Sequence, residues 1–250
     1  MRYQNPSIES ALDDLVQAGC ERIVIAPMFP QYSSAAWGSA VGRAHELTST
    51  KWNLPATATI PPFYDHPGFV RSVAEVARPL LEPFQPDHVL FSYHGLPESQ
   101  IRKSDPSGEW CLQRRDCCDA VQAENRFCYR TQSHATTRVV AGELGLASSE
   151  FSTAFQSRLA GQKWIGPYTD AVLESLHGDG VRRLAVLTPS FVADCLETLE
   201  EIGIRLRDQW LGMGGEDLLL VPCINAHPSW SSALAGMIET ETRFLTGIDD

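Results

Sequence analysis

The chain has 250 residues and a mass of 27.6 kDa, enough to bury a substantial core in one large or two small domains. Its 43% hydrophobic and 20% charged content is that of an ordinary globular protein, and no apolar run approaches the roughly 20 residues that cross a bilayer. A formal net charge of −11 without a basic stripe disfavours a nucleic-acid partner. Met1-Arg2-Tyr3-Gln4-Asn5-Pro6 lacks the apolar core of a signal peptide, so a cytoplasmic location is expected, with peripheral membrane contact left open.

In chain order, Ile8, Leu12, Leu15 and Val16 recur at helical spacing over Ser7 to Gly19. Arg22 to Ala26 reads as a buried parallel strand closed by Pro27 and Pro30. A helix is expected from about Ala36 to Leu47, a short strand at Thr57 to Ile60, and a helix at His66 to Pro83. His88 to Ser92 is the next strand, and it leads into His94, Gly95 and Pro97. From Gln100 to Asn125 periodicity vanishes and charge, Gly and Cys take over, as in a surface insertion. Order resumes with a helix at Tyr129 to Leu144 and a strand near Phe151 to Phe155. A helix at Tyr168 to His177, a strand at Arg183 to Leu187 and a helix at Asp194 to Glu201 follow. The last strand is Leu218 to Val221 and the last helix Ser229 to Phe244. Alternating strands and helices specify an α/β fold of parallel sheets with right-handed crossovers. The chain opens on a helix where a doubly wound domain opens on a strand, so an earlier element is expected to be missing.

In open sheets of this kind ligands bind where strands end, which puts His94 at a ligand-facing position, able to exchange a proton near neutral pH. Asp194, Glu197 and Glu201 fall at i, i+3 and i+7 of the expected helix, one acidic face, with Leu196, Leu199 and Ile202 opposite. Such a row is commonly a solvated face; beginning just past a strand end, it also suits passage of a divalent cation or protons. Cys20, Cys195 and Cys223 are isolated, whereas Cys111, Cys117, Cys118 and Cys128 crowd into one polar region, a pattern typical of metal binding in a reducing compartment. For His45, His66, His88, His134, His177 and His227 structural or surface roles are the default.

Ser92-Tyr93-His94-Gly95-Leu96-Pro97 resembles the Ser-x-His-x-x-Pro signature of the ferrochelatases, and Phe191 to Glu201 is similar to that family's second signature. Phe29-Pro30-Gln31-Tyr32-Ser33 is similar to the family's Tyr-Pro-Gln-Tyr-Ser, and Trp164 to Asp170 to its Trp-Leu-x-Pro-x-Thr-Asp. On these motifs, in family order and spread over nearly the whole chain, the sequence is identified as a member of the ferrochelatase family. The resemblance implies two flavodoxin-like (chelatase-type) parallel-sheet domains with the porphyrin held in the cleft between them. It implies insertion of Fe(II) into protoporphyrin IX to form protohaem, with release of the pyrrole protons. His94 would accept a pyrrole proton or meet the metal, Glu197 would face it, and Asp194 and Glu201 would continue an acidic path. Tyr32, Ser33, Trp164 and Phe191 would contact the porphyrin. Cys195 stands where many members have His.

Some bacterial ferrochelatases carry an iron-sulfur cluster in this internal segment, and Cys111, Cys117, Cys118 and Cys128 supply the four thiolates of a [2Fe-2S] cluster. A zinc knot or a mobile Cys-rich loop is the alternative, and Ser133 stands where comparable relatives have a further Cys. Residues 1–62 are expected to form a partial first domain, with the C-terminal helix 228–250 packing on it. Residues 63–227 form the second domain, with the Cys-rich insertion at about 100–127. Family members open with a strand and an Asn-Leu-Gly-Thr-Pro loop that this sequence lacks, so an N-terminally truncated chain with an incomplete first domain and an exposed apolar sheet edge is expected. The expected partners are porphyrin and ferrous iron, with the chain a monomer or homodimer. The alternatives are a coproporphyrin ferrochelatase, a cobalt chelatase, or a porphyrin- or cluster-binding module made inert by truncation.

Overall fold

The computed structural model describes the backbone of residues 3–246 and the side chains of residues 3–243. Met1, Arg2 and the end of the expected 228–250 unit, residues 247–250, lie outside the described residues.

Helix α1 (Ile8–Gln17) starts where the Ser7 hydroxyl accepts the Ser10 N–H, satisfying one of the free donors of a first turn. Strand β1 (Arg22–Ile25) follows, and then a π-helical segment, Ser34–Gly38, which runs into α2 (Ser39–Ser49). Strand β2 (Ala56–Thr59) pairs in parallel with β1, Arg22 opposite Ala56. Beside β1 lies an apolar cavity of about 870 Å³ lined by Leu12, Leu15, Ile23, Ile25, Met28 and Phe29 among others.

Helix α3 (Pro67–Phe84) carries Pro at its first position, where a missing N–H costs nothing, and the His66 ring accepts from Gly68 N–H as its cap. It leads to β3 (His88–His94), whose residues are buried as far as Tyr93. Helix α4 (Glu98–Lys103), turns over 104–128 and α5 (Tyr129–Leu144) connect β3 to β4 (Phe151–Gln156). Helix α6 (Thr169–Gly178), β5 (Arg183–Leu187), α7 (Leu196–Leu199), a second π-helical segment Glu201–Leu206, α8 (Arg207–Gly212), β6 (Asp217–Leu220) and α9 (Pro228–Thr246) complete the chain. These strands form a four-stranded parallel sheet in the order β4-β3-β5-β6.

Alternation along each strand sends side chains to opposite faces. Val89, Phe91, Tyr93, Phe155, Ala185 and Leu187 pack into a core shared with α3, α5 and α9. Leu90, Ala154, Leu184 and Val186 pack on the other side against Leu173 of α6, Ile202, and Trp210 of α8. Fully buried Leu90 and Phe91 each contribute roughly 1.5–3 kcal/mol. Helix α9 also contacts β1 and β2, so the small sheet and the large one share it. Among the described residues no helix is long and apolar enough to cross a membrane.

The architecture is the expected α/β arrangement of parallel sheets, with two local departures. The expected irregular stretch from Gln100 begins inside α4, and the expected helix from Asp194 to Glu201 is α-helical only over Leu196–Leu199. Cys195 is extended (φ −148°, ψ −175°), which breaks the helix before Asp194 can join it.

Candidate active site

All strands of the large sheet run the same way, so β3, β4, β5 and β6 deliver His94, Gln156, Thr188 and Val221 to one edge. Residues of the same parity share a face, which puts Leu90, Ser92 and His94 on the side covered by α6, Ile202 and α8. There a cavity of about 680 Å³ is lined by His94, Gln156, Ser157, Trp164, Glu197 and Glu201, among others.

The His94 ring lies 6.4 Å from that of Trp164 and 6.3 Å from that of Phe191, so it is held between two aromatic walls. Its Nδ1 is 2.7 Å from the Gly95 carbonyl. A carbonyl only accepts, so in the neutral ring the proton sits on Nδ1 and the Nε2 lone pair is left to act as a base. Gly95 is required by close approach: a Cβ there would stand 2.8 Å from the Gln156 carbonyl and 3.3 Å from the Trp164 ring. The Gly95 N–H instead donates to that carbonyl at 2.7 Å.

Glu197 is held ionised below the usual glutamate range. The Cys195 thiol and its own backbone N–H donate to it, and nearby His94 adds to this against the cost of burial. Glu201 is held differently, by the Ser157 backbone N–H at 2.8 Å, the Ser157 hydroxyl at 2.5 Å and Gln156 Nε2 at 3.4 Å. Ser157 makes both bonds from a left-handed backbone, φ +62°, uncommon outside glycine. Gln156 also donates from Nε2 to the Glu197 carbonyl at 2.6 Å, and its Oε1 accepts from the Ser92 hydroxyl at 2.7 Å. Thr169 Oγ1, 2.8 Å from Ser92 Oγ, closes the chain of hydrogen bonds. The π-helical turn carrying Glu201 is a form that recurs at functional sites.

Asp194 does not share a helical face with these carboxylates. Its carboxylate accepts from Cys223 N–H at 3.0 Å and Asn225 Nδ2 at 2.7 Å, tying the loop before α7 to the loop after β6. Nor do Leu196 and Leu199 face the core: they are 77% and 54% exposed, while Ile202 is buried. Tyr32 and Ser33 line a separate cavity of about 390 Å³ with Leu96, Gln100 and Lys103. The Ser33 hydroxyl is engaged as the cap that accepts Ala36 N–H at 3.0 Å. Leu96 reaches that cavity from the same turn that follows His94, so the two cavities flank residues 95–97.

Cys111, Cys117, Cys118 and Cys128 are all buried, at 1–6% exposure. Asp105 folds their loop by accepting from the N–H groups of Ser107, Trp110 and Cys111 and from the Ser107 hydroxyl. Cys117 and Cys118 sulfurs are 3.7 Å apart. Hydrogen bonding to Cys128, then burial, raises the Cys118 thiol far above its ordinary value, and bonding to Cys111 is the main cause that raises Cys128. The four thiols therefore form a connected string. Arg130 Nη1 donates to Cys118 Sγ at 3.0 Å. Among the described residues no three His, Cys, Asp or Glu side chains converge on a single-ion site.

The sequence singled out none of Gln156, Ser157 and Arg130, and included Thr169 only as part of the Trp164–Asp170 motif. Gln156 and Ser157 belong to no motif, and only their position at the end of β4 could have flagged them. Of the remaining histidines, His66 caps α3, His88 meets Ser152 Oγ at 2.8 Å and His227 meets Ser229 Oγ at 2.8 Å, whereas the buried Nε2 of His134 has no hydrogen-bond partner among the described residues.

Residues 1–242 match the family model "Ferrochelatase". A ferrochelatase of Pseudomonas entomophila (strain L48) is 45% identical over 240 residues, 96% of this chain and 71% of that protein. One from Coxiella burnetii (strain Dugway 5J108-111) is 44% identical over 237 residues, 95% of this chain and 66% of that protein. The chain thus spans about two thirds of the length of these relatives. The solved structure of SirB from Bacillus subtilis with Fe3+ superposes with a TM-score of 0.64 at 16% identity, over 98% of this chain and 82% of that one, a likeness of fold. The chain belongs to the ferrochelatase family, whose members insert iron into porphyrin in haem biosynthesis.

Proposed function

We propose that this chain metallates protoporphyrin IX with Fe(II), giving protohaem and two protons. The observation that carries the reading is the meeting of His94, Glu197 and Glu201 in one cavity walled by Trp164. His94 Nε2, free of a local partner once Nδ1 is bound to Gly95, takes a pyrrole proton. Glu197, kept ionised, faces the macrocycle from the other side and draws the cation in. Glu201, fixed by Ser157 and Gln156, supplies the next anionic position on the metal or proton path. Asp194, committed to Cys223 and Asn225, serves this reading only by anchoring the loop that presents Glu197. Trp164 and Phe191 hold the ring beside His94, and Tyr32 and Ser33 bound the neighbouring space.

A [2Fe-2S] cluster at Cys111, Cys117, Cys118 and Cys128 belongs to the same proposal. Four buried cysteines, two of them with sulfurs 3.7 Å apart, and a guanidinium aimed at one of these support it. Each iron of such a cluster takes two protein thiolates, so pairs of sulfurs suffice where a single zinc ion would need convergence of three or four. When bound, the cluster would supply one-electron chemistry; the thiols must lose their protons to hold it. The reading divides the chain at 1–62 and 63–227, supported by the separate small sheet, with α9 packing on β1 and β2. A cytoplasmic location, with peripheral membrane contact open, accords with the absence of a membrane-crossing helix among the described residues.

The test is anaerobic incubation with Fe(II) and either protoporphyrin IX or coproporphyrin III, followed by product analysis. Protohaem from the wild type and its loss in His94→Ala are expected. Turnover of coproporphyrin alone would move the substrate assignment to that porphyrin. Unchanged turnover in His94→Ala would sink the catalytic assignment.

A further inference from the structure

Between β4 and α6 the chain makes a strap across the end of the large sheet. Its first part pairs with the turn after His94: Glu98 N–H donates to the Lys163 carbonyl and Ile165 N–H to the Leu96 carbonyl, both at 2.9 Å. Its last part returns to β4, where Phe155 N–H donates to the Pro167 carbonyl at 2.8 Å. Trp164, whose ring stands beside His94, is carried by this strap. The centre of the strap, the Gly166 carbonyl, is held by neither strand. It is held by Arg130 from the first turn of α5, with Nε and Nη2 both at 3.4 Å. The remaining nitrogen of the same guanidinium, Nη1, donates to Cys118 Sγ at 3.0 Å.

We propose that Arg130 is a positioning residue that ties the sulfur of Cys118 to the strap carrying Trp164, so that the state of the cysteine site and occupancy of the porphyrin cleft are coupled. The guanidinium is planar and presents its donors in a fixed fork. A shift of the sulfur, or a change in what it ligates, therefore moves the donors that hold Gly166. The next strap residue but one toward the cleft is Trp164. Lysine offers one point of charge where arginine offers a fork, and cannot serve both acceptors at these distances. Coupling of this kind is reciprocal: porphyrin binding alters the cysteine site by the same free energy with which that site alters porphyrin affinity. The inference rests on the proposed porphyrin site, and it deepens the proposed cluster by naming the contact through which the cluster reaches that site.

A double-mutant cycle on the full chain tests it, with affinity for metal-free protoporphyrin IX read by Soret titration. Arg130→Lys and Cys118→Ser should each weaken binding roughly fivefold, the lower end of ordinary coupling between sites. The double variant should be no weaker than the weaker single variant, because both changes break one link. Arg130→Gln repeats the measurement should Arg130→Lys fail to fold. Additive losses, about 25-fold in the double variant, or wild-type affinity in either single variant, overturn the proposal. Where the wild type holds iron and sulfide, a second readout applies. Hydrogen bonds to cluster sulfurs stabilise the reduced, more negative state, so porphyrin binding should shift the reduction potential in the wild type and leave it unmoved in Arg130→Lys. A porphyrin-induced shift that persists in Arg130→Lys also overturns it. Iron and sulfide content decides the cluster separately, since the affinity cycle reads the Arg130 link with or without it.

Discussion

Asp105→Asn should unfasten the cysteine loop. The side chain is nearly inaccessible, and each carboxylate oxygen accepts two bonds: Oδ1 from the Ser107 N–H and hydroxyl, Oδ2 from the N–H groups of Trp110 and Cys111. An asparagine keeps one acceptor oxygen and turns an NH2 toward the other pair of donors. Two bonds to a charged acceptor are lost, at roughly 1.5–3 kcal/mol each, so the variant should lose about 3–6 kcal/mol. The loop is tied to α5 through the Cys118 carbonyl and Arg138, so the loss should register in global melting. At 2–4 °C per kcal/mol for a chain of this size, Tm should fall by roughly 6–24 °C. The pH dependence follows from the carboxyl's lowered value. Burial opposes ionisation, but the Ser107 hydroxyl and the N–H groups of Cys111, Trp110 and Ser107 outweigh it and bring the pKa to about 2. A carboxyl depressed on folding contributes its stability above the ordinary aspartate value and loses it as pH falls toward the folded value. The gap in Tm between wild type and Asp105→Asn, read by circular dichroism, should therefore be full at pH 6 and narrow steadily between about pH 4 and pH 2. A difference below 2 °C at pH 6, or one that does not change across that acid range, would refute the reasoning.

Glu197→Gln should cut zinc or iron insertion at least about 100-fold while leaving Tm within about 2 °C, since the group is partly exposed and its role is its charge. Because Cys195 and a backbone N–H lower its carboxyl, the wild-type rate should show no loss attributable to this group until pH drops below the ordinary glutamate range. An acid limb that lies above that range and disappears in Glu197→Gln contradicts this. Gln156→Leu leaves the Ser92 hydroxyl and the Glu197 carbonyl without their partner at a buried position, at about 1–3 kcal/mol for each group. Tm should fall by roughly 4–24 °C and turnover with it, and a variant as stable as wild type would show that the Ser92–Gln156–Glu197 chain of bonds carries no weight.

What the sequence displayed and what it concealed divide along the range of the interactions. Strand β3 was legible because a continuous apolar run bounded by Gly and Pro is what a central parallel strand requires, and its end put His94 at the ligand edge of the sheet. The α3 start was legible from Pro67, and the Cys cluster from spacing alone. The grip on Glu201 was not, because it depends on a left-handed Ser157 that only the meeting of β4 with the π-helical segment selects. Arg130 was invisible for the same reason: its partners lie 12 and 36 positions away, and no local pattern marks them.

The acidic row shows how two carboxylates can share a cavity without the uniform helix that first grouped them. A uniform helix through Asp194, Glu197 and Glu201 would line up all three, yet Asp194 precedes the extended Cys195 and turns to Cys223 and Asn225. Glu197 and Glu201 still line one cavity, because four residues bring successive turns into register across the junction of α7 and the π-helical turn. The same break turns Leu196 and Leu199 outward and leaves Ile202 as the apolar anchor of the segment. The carboxylates therefore stand on a short element fastened at Ile202, Thr198 and Asp194 rather than on a continuous amphipathic helix. Its freedom to adjust around a bound macrocycle is set by those few contacts, and by the bonds that Gln156 and Ser157 make to it.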